Sequence, residues 1–435
     1  MIQIQNKQDC CGCEACVQVC PKQCISFNQD HEGFLYPKVD EDMCIHCGLC
    51  SIVCPVLHPY ESQKPYETLA AINPDDEIRK TSSSGGVFTL LAEKVIDEGG
   101  IVFGARFDEE WLVVHDVAET KEALRVFRGS KYLQSRIGDS FLRCQNFLDA
   151  GRMVLFTGTP CQVAALNHYL RKKYPNLLTV DFICHGVPSP LVWKYYLDEV
   201  LRAGKIAIND VNFENKSRLL KQFGFIIDYN KQQDAYTLSS PYHDNSYMQA
   251  FLRNLTLRPS CHACPAKSGR SHSDITIADF WGIQTINPTM DDDKGTSLVI
   301  VHTKRGIEAI DKKNLRCSKV TLNDALHFNS AYYAPSKTHC RRTEFFANLS
   351  STTNLQKLIR DCLRPTLRQR LSYLKYPRKF LTLLVGKRER SLTHKDYIID
   401  KRKTLRISNV SFRSKLHSWK HYEVCITMKP DKVNI

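Results

Sequence analysis

The period of the apolar positions changes several times along this chain, and each change predicts an element. Residues 87–96, Val-Phe-Thr-Leu-Leu-Ala-Glu-Lys-Val-Ile, repeat their apolar positions at helical spacing, and Gly99-Gly100 ends the run. Residues 101–105 and 111–117 read as strands of a meander around Asp108-Glu109-Glu110, and 121–126 as a short helix. A second α/β unit starts at Gly151. It predicts a buried strand over 153–156, a turn over 157–162, a helix over 163–169, a strand over 177–183 and a helix over 191–201. Further strands are expected near 211–213, 224–229, 274–278 and 297–303. Strands alternating with helices at this interval point to an at least partly parallel sheet. The polar stretch 58–76, with Pro59 and Pro65, reads as an interdomain linker.

The 435 residues leave room for two to four domains. No apolar run approaches the roughly 18–20 residues of a membrane span. Residues 1–9 are polar and lack the apolar core of a leader, so a cytoplasmic protein is expected. The net charge of +14 is unevenly placed: from Arg341 onward 23 Lys and Arg face 7 Asp and Glu. The body is therefore no nucleic-acid reader on charge grounds, and any anionic partner belongs to the tail. Residues 363–386 mix Arg364, Arg368, Arg370, Lys375, Arg378 and Lys379 with Leu371, Leu374, Phe380, Leu381, Leu383 and Leu384. Such a basic amphipathic segment suits a solvated helix on the domain, a protein partner, or a peripheral place on an anionic membrane surface.

Nineteen cysteines in such a chain argue for metal clusters rather than cross-links. Cys10-x2-Cys13-x2-Cys16-x3-Cys20-Pro21 and Cys44-x2-Cys47-x2-Cys50-x3-Cys54-Pro55 write the two-cluster ferredoxin pattern twice. Three thiolates two residues apart wrap one iron–sulfur cube from a single loop. The fourth, before proline, faces the other cube. This pairs Cys10, Cys13, Cys16 and Cys54 on one 4Fe–4S cluster, and Cys44, Cys47, Cys50 and Cys20 on the second. A zinc site needs four ligands and leaves the third CxxC step unexplained. Cys11 and Cys24 fall outside the pattern and read as spare thiols.

Four more cysteines sit in turns of the body: Cys161, Cys184, and the pair Cys261 and Cys264 ahead of Pro265. Together they suit a third cluster or a four-cysteine zinc site; alternatively Cys161 and Cys184 are small buried hydrophobes. The loop Ser82-Ser83-Ser84-Gly85-Gly86 opens the first helix and offers an anion site for a phosphate or pyrophosphate, or simply a helix cap.

Six ordered motifs carry a resemblance. They are Thr81-Ser82-Ser83-Ser84-Gly85-Gly86, Arg128-Gly129-Ser130-Lys131-Tyr132-Leu133-Gln134-Ser135, Gly158-Thr159-Pro160-Cys161-Gln162, Ile183-Cys184-His185-Gly186-Val187-Pro188, Arg258-Pro259-Ser260-Cys261-His262-Ala263-Cys264 and residues 274–282 ending in Asp279-Phe280-Trp281-Gly282. The chain resembles the coenzyme F420 hydrogenase/dehydrogenase beta-subunit family, with a ferredoxin domain fused in front. The resemblance implies an FAD-containing iron–sulfur oxidoreductase whose hydride partner is F420 or another organic substrate, of the kind associated with bacterial surface-polysaccharide gene clusters. It implies a third 4Fe–4S cluster on Cys161, Cys184, Cys261 and Cys264. It also implies an FAD site at Ser82, Ser83, Ser84, Gly85, Gly86, Gly129, Ser130, Lys131, Tyr132 and Thr159. Lys131 and His185 are the candidate catalytic residues, with a loop lysine and a structural histidine as the plainer alternatives. Asp279 and Trp281 are candidates for the pocket wall, against a core tryptophan.

The expected fold mixes α+β and α/β parts. A ferredoxin-like domain (1–60) and a linker (61–76) precede a mixed α/β flavoprotein body (77–150 and 151–335) and a basic, mostly helical tail (336–435). The expected partners are a ferredoxin-type carrier and an organic substrate or deazaflavin. No nucleic acid is expected, and homo-oligomerisation is left open. Two other readings remain: a non-catalytic electron-transfer subunit, and a membrane-associated scaffold held by the tail.

Overall fold

Residues 101–103 and 154–156 are apolar at every position, so a strand made from them needs cover on both faces. The computed structural model, which describes residues 1–201, 206–216, 224–231 and 234–365, provides that cover. Ile101, Phe103, Val154 and Phe156 pack on one face with Phe141, Leu148, Val163 and Leu166. Val102 and Leu155 point the other way, onto Val87, Leu91, Ala92 and Val95. The alternation of a strand thus serves two cores at once.

The strands are β1 (Ile25–Gln29), β2 (Leu35–Val39), β3 (Glu67–Ile72), β4 (Ile101–Phe107), β5 (Val113–Ala118), β6 (Val154–Thr157), β7 (Leu177–Phe182), β8 (Ile206–Asn215), β9 (Gly224–Lys231), β10 (Asp234–Pro241), β11 (Ile275–Asp279), β12 (Ser297–Val301) and β13 (Arg316–Lys319). Eight form one sheet in the order β13-β3-β12-β11-β7-β6-β4-β5. The four neighbours β11, β7, β6 and β4 run parallel, and the flanking pairs are antiparallel. The partly parallel sheet expected from the alternating elements is present. β8, β9 and β10 make a separate antiparallel sheet, and β1 pairs with β2 near the N-terminus.

Two boundaries differ from the sequence reading. The stretch taken as a linker contains β3, an inner strand between β12 and β13 whose Leu69, Ala70, Ala71 and Ile72 are buried. Its polar flanks and two prolines hid a four-residue apolar core. The segment assigned to a basic tail first supplies two helices, Arg342–Leu349 and Leu355–Leu363. Their Phe345, Phe346, Leu349, Leu355 and Ile359 pack with Trp193, Phe213, Phe225 and Tyr247. From residue 366 on, the basic amphipathic segment lies outside the described residues. Trp111, expected in a strand, instead has φ 59° in the turn before β5. Among the described residues no helix is long and apolar enough to cross a membrane.

The cysteine-rich N-terminus packs on the sheet through its own apolar side chains. Ala15 and Val53 are fully buried among the helices Ser140–Asp149 and Pro160–Leu170 and the β4–β6 face. The ferredoxin-like segment and the body therefore belong to one unit, Met1–Arg364.

Candidate functional site

The first thiol set assembles as the spacing requires. Cys10, Cys13, Cys16 and Cys54 are all buried, and the Cys16 thiol is pushed well up by burial and by Cys10 and Cys54 beside it. The second set surrounds a small cavity lined by Cys20, Cys44, Cys47 and Cys50. Cys24, which the spacing left spare, lines the same cavity 3.4 Å from Cys20. Among the described residues no three ligand side chains converge on a single-ion site. The donor set is thiols alone, in two loops of CxxCxxC spacing, which fits iron–sulfur clusters.

The body cysteines also come together. Cys184 lies where its thiol feels Cys261, Cys161 and Cys264, and burial pushes Cys261 up to about 12 and Cys264 to about 11. Lys267, almost fully buried, donates to the Cys184 carbonyl and to the Ala331 carbonyl at 2.7 Å. Cys11 is a surprise of the fold. Its thiol neighbours both Cys13 and Cys161, so it stands between the first set and this third one.

A cavity of about 510 Å³ opens at the carboxyl ends of the parallel strands, the usual ligand position in such sheets. Its wall takes Thr157, Gly158 and Thr159 after β6, residues 182–187 after β7, and Asp279 and Trp281 after β11. Ser82, Ser83, Ser84, Gly86, Gly129, Ser130, Lys131, Tyr132, Thr159 and His185 all line it. Ten of the sequence-predicted positions thus meet in one cavity, which Cys184 also reaches. Gly85 does not line it. A Cβ there would stand 2.5 Å from the Ala71 carbonyl and 2.6 Å from the Ser297 nitrogen, so this glycine serves close packing on the sheet. Trp281 is half exposed at the mouth rather than a core residue.

The serine hydroxyls are engaged within the protein. Ser82 donates to the Ile78 carbonyl at 2.7 Å and Ser84 to the Thr296 carbonyl at 2.9 Å. Ser83 Oγ accepts from the Ser130 N–H at 2.6 Å and lies 2.8 Å from its hydroxyl, tying the two glycine-containing loops together. The backbone N–H groups left without a side-chain cap are those of the helix Val87–Asp97, whose N-terminus follows Gly86 (φ 79°) and borders the cavity. These features fit a pyrophosphate-bearing cofactor such as FAD. The Lys131 amine is buried nearby, donating to the Arg128 and Gly129 carbonyls at 3.0 and 3.2 Å, and burial lowers it to about 8. It remains largely cationic at neutral pH.

Sequence reasoning missed several wall residues. Nε2 of His115 is 3.0 Å from the Thr157 carbonyl, and burial lowers this histidine to about 4. Gln162 caps its helix, accepting from the Thr159 N–H at 2.9 Å and donating to Ser135 Oγ at 2.9 Å. Asp181, raised by burial to about 6, accepts from Thr276 Oγ1 at 2.5 Å, and that hydroxyl is 2.9 Å from His302 Nε2. Asp279 is raised to about 7 by burial and by Glu214, which also accepts from the Tyr132 hydroxyl. A lone Asp inside the apolar run 177–183 was the legible sign of Asp181. His115 and Glu214 left none. His185 is lowered by burial, and its Nε2 has no partner among the described residues.

Two cysteine loops of ferredoxin spacing, packed on a mixed α/β sheet with a strand-end cavity, define an iron–sulfur protein. Residues 68–140 match the model of the coenzyme F420 hydrogenase/dehydrogenase beta subunit N-terminus, 151–323 that of its C terminus, and 9–57 a 4Fe-4S dicluster domain. The chain belongs to the coenzyme F420 hydrogenase/dehydrogenase beta-subunit family, with a 4Fe–4S dicluster domain in front. It is 25% identical over 314 residues to the coenzyme F420-dependent sulfite reductase of Methanocaldococcus jannaschii, covering 69% of this chain and 45% of that protein. It is 26% identical over 199 residues to an uncharacterised protein of the same organism, covering 39% and 54%. The chain spans about half the length of these curated relatives. Residues near the N-terminus are 50% identical over 42 residues to ferredoxin 7Fe of Hydrogenibacillus schlegelii, covering 10% of this chain and 47% of that one. Among solved structures it is similar to a chain of the F420-reducing NiFe hydrogenase complex of Methanosarcina barkeri, with 19% identity, a TM-score of 0.40, and 73% and 94% of the two chains covered.

Proposed function

We propose that this chain is an iron–sulfur flavoprotein oxidoreductase. FAD would occupy the strand-end cavity, and electrons would pass between a ferredoxin-type carrier and an organic hydride partner, coenzyme F420 or a chemically similar acceptor. The observation that carries this reading is the single cavity that touches both predicted flavin segments and Cys184. A bound flavin supplies the exchange between hydride and single electrons, and the clusters supply the single-electron steps.

The chain's own groups divide the remaining work. Lys131 holds positive charge against the cofactor from beneath the 128–130 turn. The helix N-terminus at Gly86 receives phosphate oxygens. His185 holds a proton at a ring nitrogen on the cavity wall, beside Cys184. Trp281 and Asp279 flank the side from which a substrate ring would enter. The outer thiol loop, with Cys47 exposed, suits the docking of a carrier.

Anaerobic purification with iron, sulfide and flavin measured per chain tests the proposal. About twelve irons and one FAD are expected for three 4Fe–4S clusters. About eight irons, with zinc and no flavin, would overturn the enzyme reading. A second reading, an electron-relay unit that wires a partner enzyme to a carrier, is favoured by the exposed Cys47 of the outer thiol loop. Oxidation of reduced F420 by the isolated chain with an artificial one-electron acceptor separates the two.

A further inference from the structure

One fully buried cation stands between the first thiol set and the third. Arg258, three residues ahead of Cys261, has no exposed surface. Its Nε donates to the Cys10 carbonyl at 2.8 Å, one terminal nitrogen to Gln134 Oε1 at 3.0 Å, and the other to the Leu35 carbonyl at 2.8 Å. That last nitrogen also lies 3.6 Å from Cys10 Sγ. The guanidinium sits 4.5 Å from the Tyr36 ring centre and 5.3 Å from that of Phe34. Among the described residues it makes no ion pair. Glu14 is near, but its carboxylate is engaged by the N–H groups of Ile137 and Gly138 at 3.0 and 3.2 Å.

A guanidinium cannot discard its proton to escape burial. Buried without a carboxylate it is costly, unless another anion compensates. With clusters bound, the ligating thiolates are the anions at this place, Cys10 Sγ nearest among them. Cys10, Cys11 and Cys261 are all among its charge neighbours.

We propose that Arg258 is a positioning residue that tunes the electron path. It is a permanent cation set between the cluster site of Cys10, Cys13, Cys16 and Cys54 and that of Cys161, Cys184, Cys261 and Cys264, raising the reduction potential of both over the outer site on Cys20, Cys44, Cys47 and Cys50. Fixed positive charge and an N–H···S contact both favour the more negative, reduced cluster. A low-potential one-electron carrier protein then delivers each electron at the outer site, and the electron moves inward down the gradient. Each transfer shifts one electron from the outer cluster to the inner one. No bond forms or breaks, and the guanidinium keeps its proton.

The inference rests on the cluster reading above, and the experiment separates the two. The full chain is purified anaerobically, iron is counted, and the clusters are titrated potentiometrically by electron paramagnetic resonance. Cys47→Ser marks the outer signal. Arg258→Gln keeps donors but removes the charge. At a fixed potential it is expected to lower the reduced-to-oxidised ratio of the inner clusters about tenfold, which is about 59 mV for a one-electron couple. The outer signal stays in place, and Arg258→Lys recovers most of the shift. If Arg258→Gln does not retain iron, Gln134→Glu decides, because it sets a carboxylate against the intact guanidinium and should move the inner potentials the same way. Unmoved potentials in an iron-loaded variant overturn the role of Arg258. A wild-type chain without cluster signals overturns the cluster reading itself.

Discussion

Gly12 and His46 hold equivalent places in the two cysteine loops, and both have positive φ, 70° and 52°. Two residues on, Glu14 and Gly48 match again at 61° and 77°. The loops share a backbone path, yet their surroundings are opposite. A Cβ on Gly12 would meet Gln134 at 2.6 Å and Arg258 at 2.8 Å, whereas one on Gly48 would meet nothing within 4 Å. The four thiols of the inner set are buried, while Cys47 of the outer set is exposed beside half-exposed Met43 and Ile45. The cluster-binding path is local to each loop, and its role is allotted by what packs on it. The inner loop is welded to the body, and the outer loop is left open to solvent.

The largest test of that contrast lies in the weld. Arg342 forms a buried, two-point pair with Glu32 at 2.6 and 2.9 Å and donates to the Leu257 carbonyl. Arg342→Ala strands the Glu32 carboxylate and is expected to cost about 3–5 kcal/mol, read by thermal unfolding of the loaded chain. Next comes Glu14→Ala, which leaves the Ile137 and Gly138 N–H groups without their acceptor for about 1–3 kcal/mol; an unchanged melting temperature would break the picture of a welded inner loop.

Smaller again is the difference between two alanines. Both Gly12→Ala and Gly48→Ala meet left-handed backbone strain of about 1 kcal/mol, but only Gly12→Ala also crowds Arg258 and Gln134. Iron retention and stability should therefore fall further for Gly12→Ala. Equal losses would show that the surroundings do not matter.

Outside this order stands a pH dependence remote from both loops. Asp279 has its folded value raised to about 7 against an unfolded value near 3.9, so the folded state favours its neutral form. The stability this contributes is full below about pH 4 and is lost as the pH rises through about 7. Asp279→Asn should match the parent at pH 4 and become progressively the more stable protein toward pH 7, with a constant gap above. A gap that opens toward acid pH would reverse the assigned sign.

Local geometry was legible in the sequence where neighbours in space are neighbours in the chain. The eight ferredoxin cysteines, the Gly86 helix start and the Gly129–Tyr132 turn carry their geometry in spacing and turn chemistry. Gly85 was misjudged because a glycine beside a ligand loop and a glycine pressed on a sheet look alike until the Ala71 carbonyl is in place. β3 was missed because four apolar residues, Leu69 to Ile72, are too short a signal against polar flanks and nearby prolines. Cys11 and Cys24 lie outside the ligand spacing, and that Cys11 also neighbours Cys161 is visible only in the fold.

By itself the sequence determined the family, the two thiol loops with their local ring closure, and the alternation that makes a partly parallel sheet. Those follow from interactions spanning a few residues. Only the tertiary structure decided which loop faces inward, that Arg258 meets Cys10 across 248 residues and Arg342 meets Glu32 across 310, and that segments from Ser82 to Ala331 share one cavity. Contacts at such separations exist only once the sheet has brought its strand ends together, and no short-range pattern in the chain encodes them.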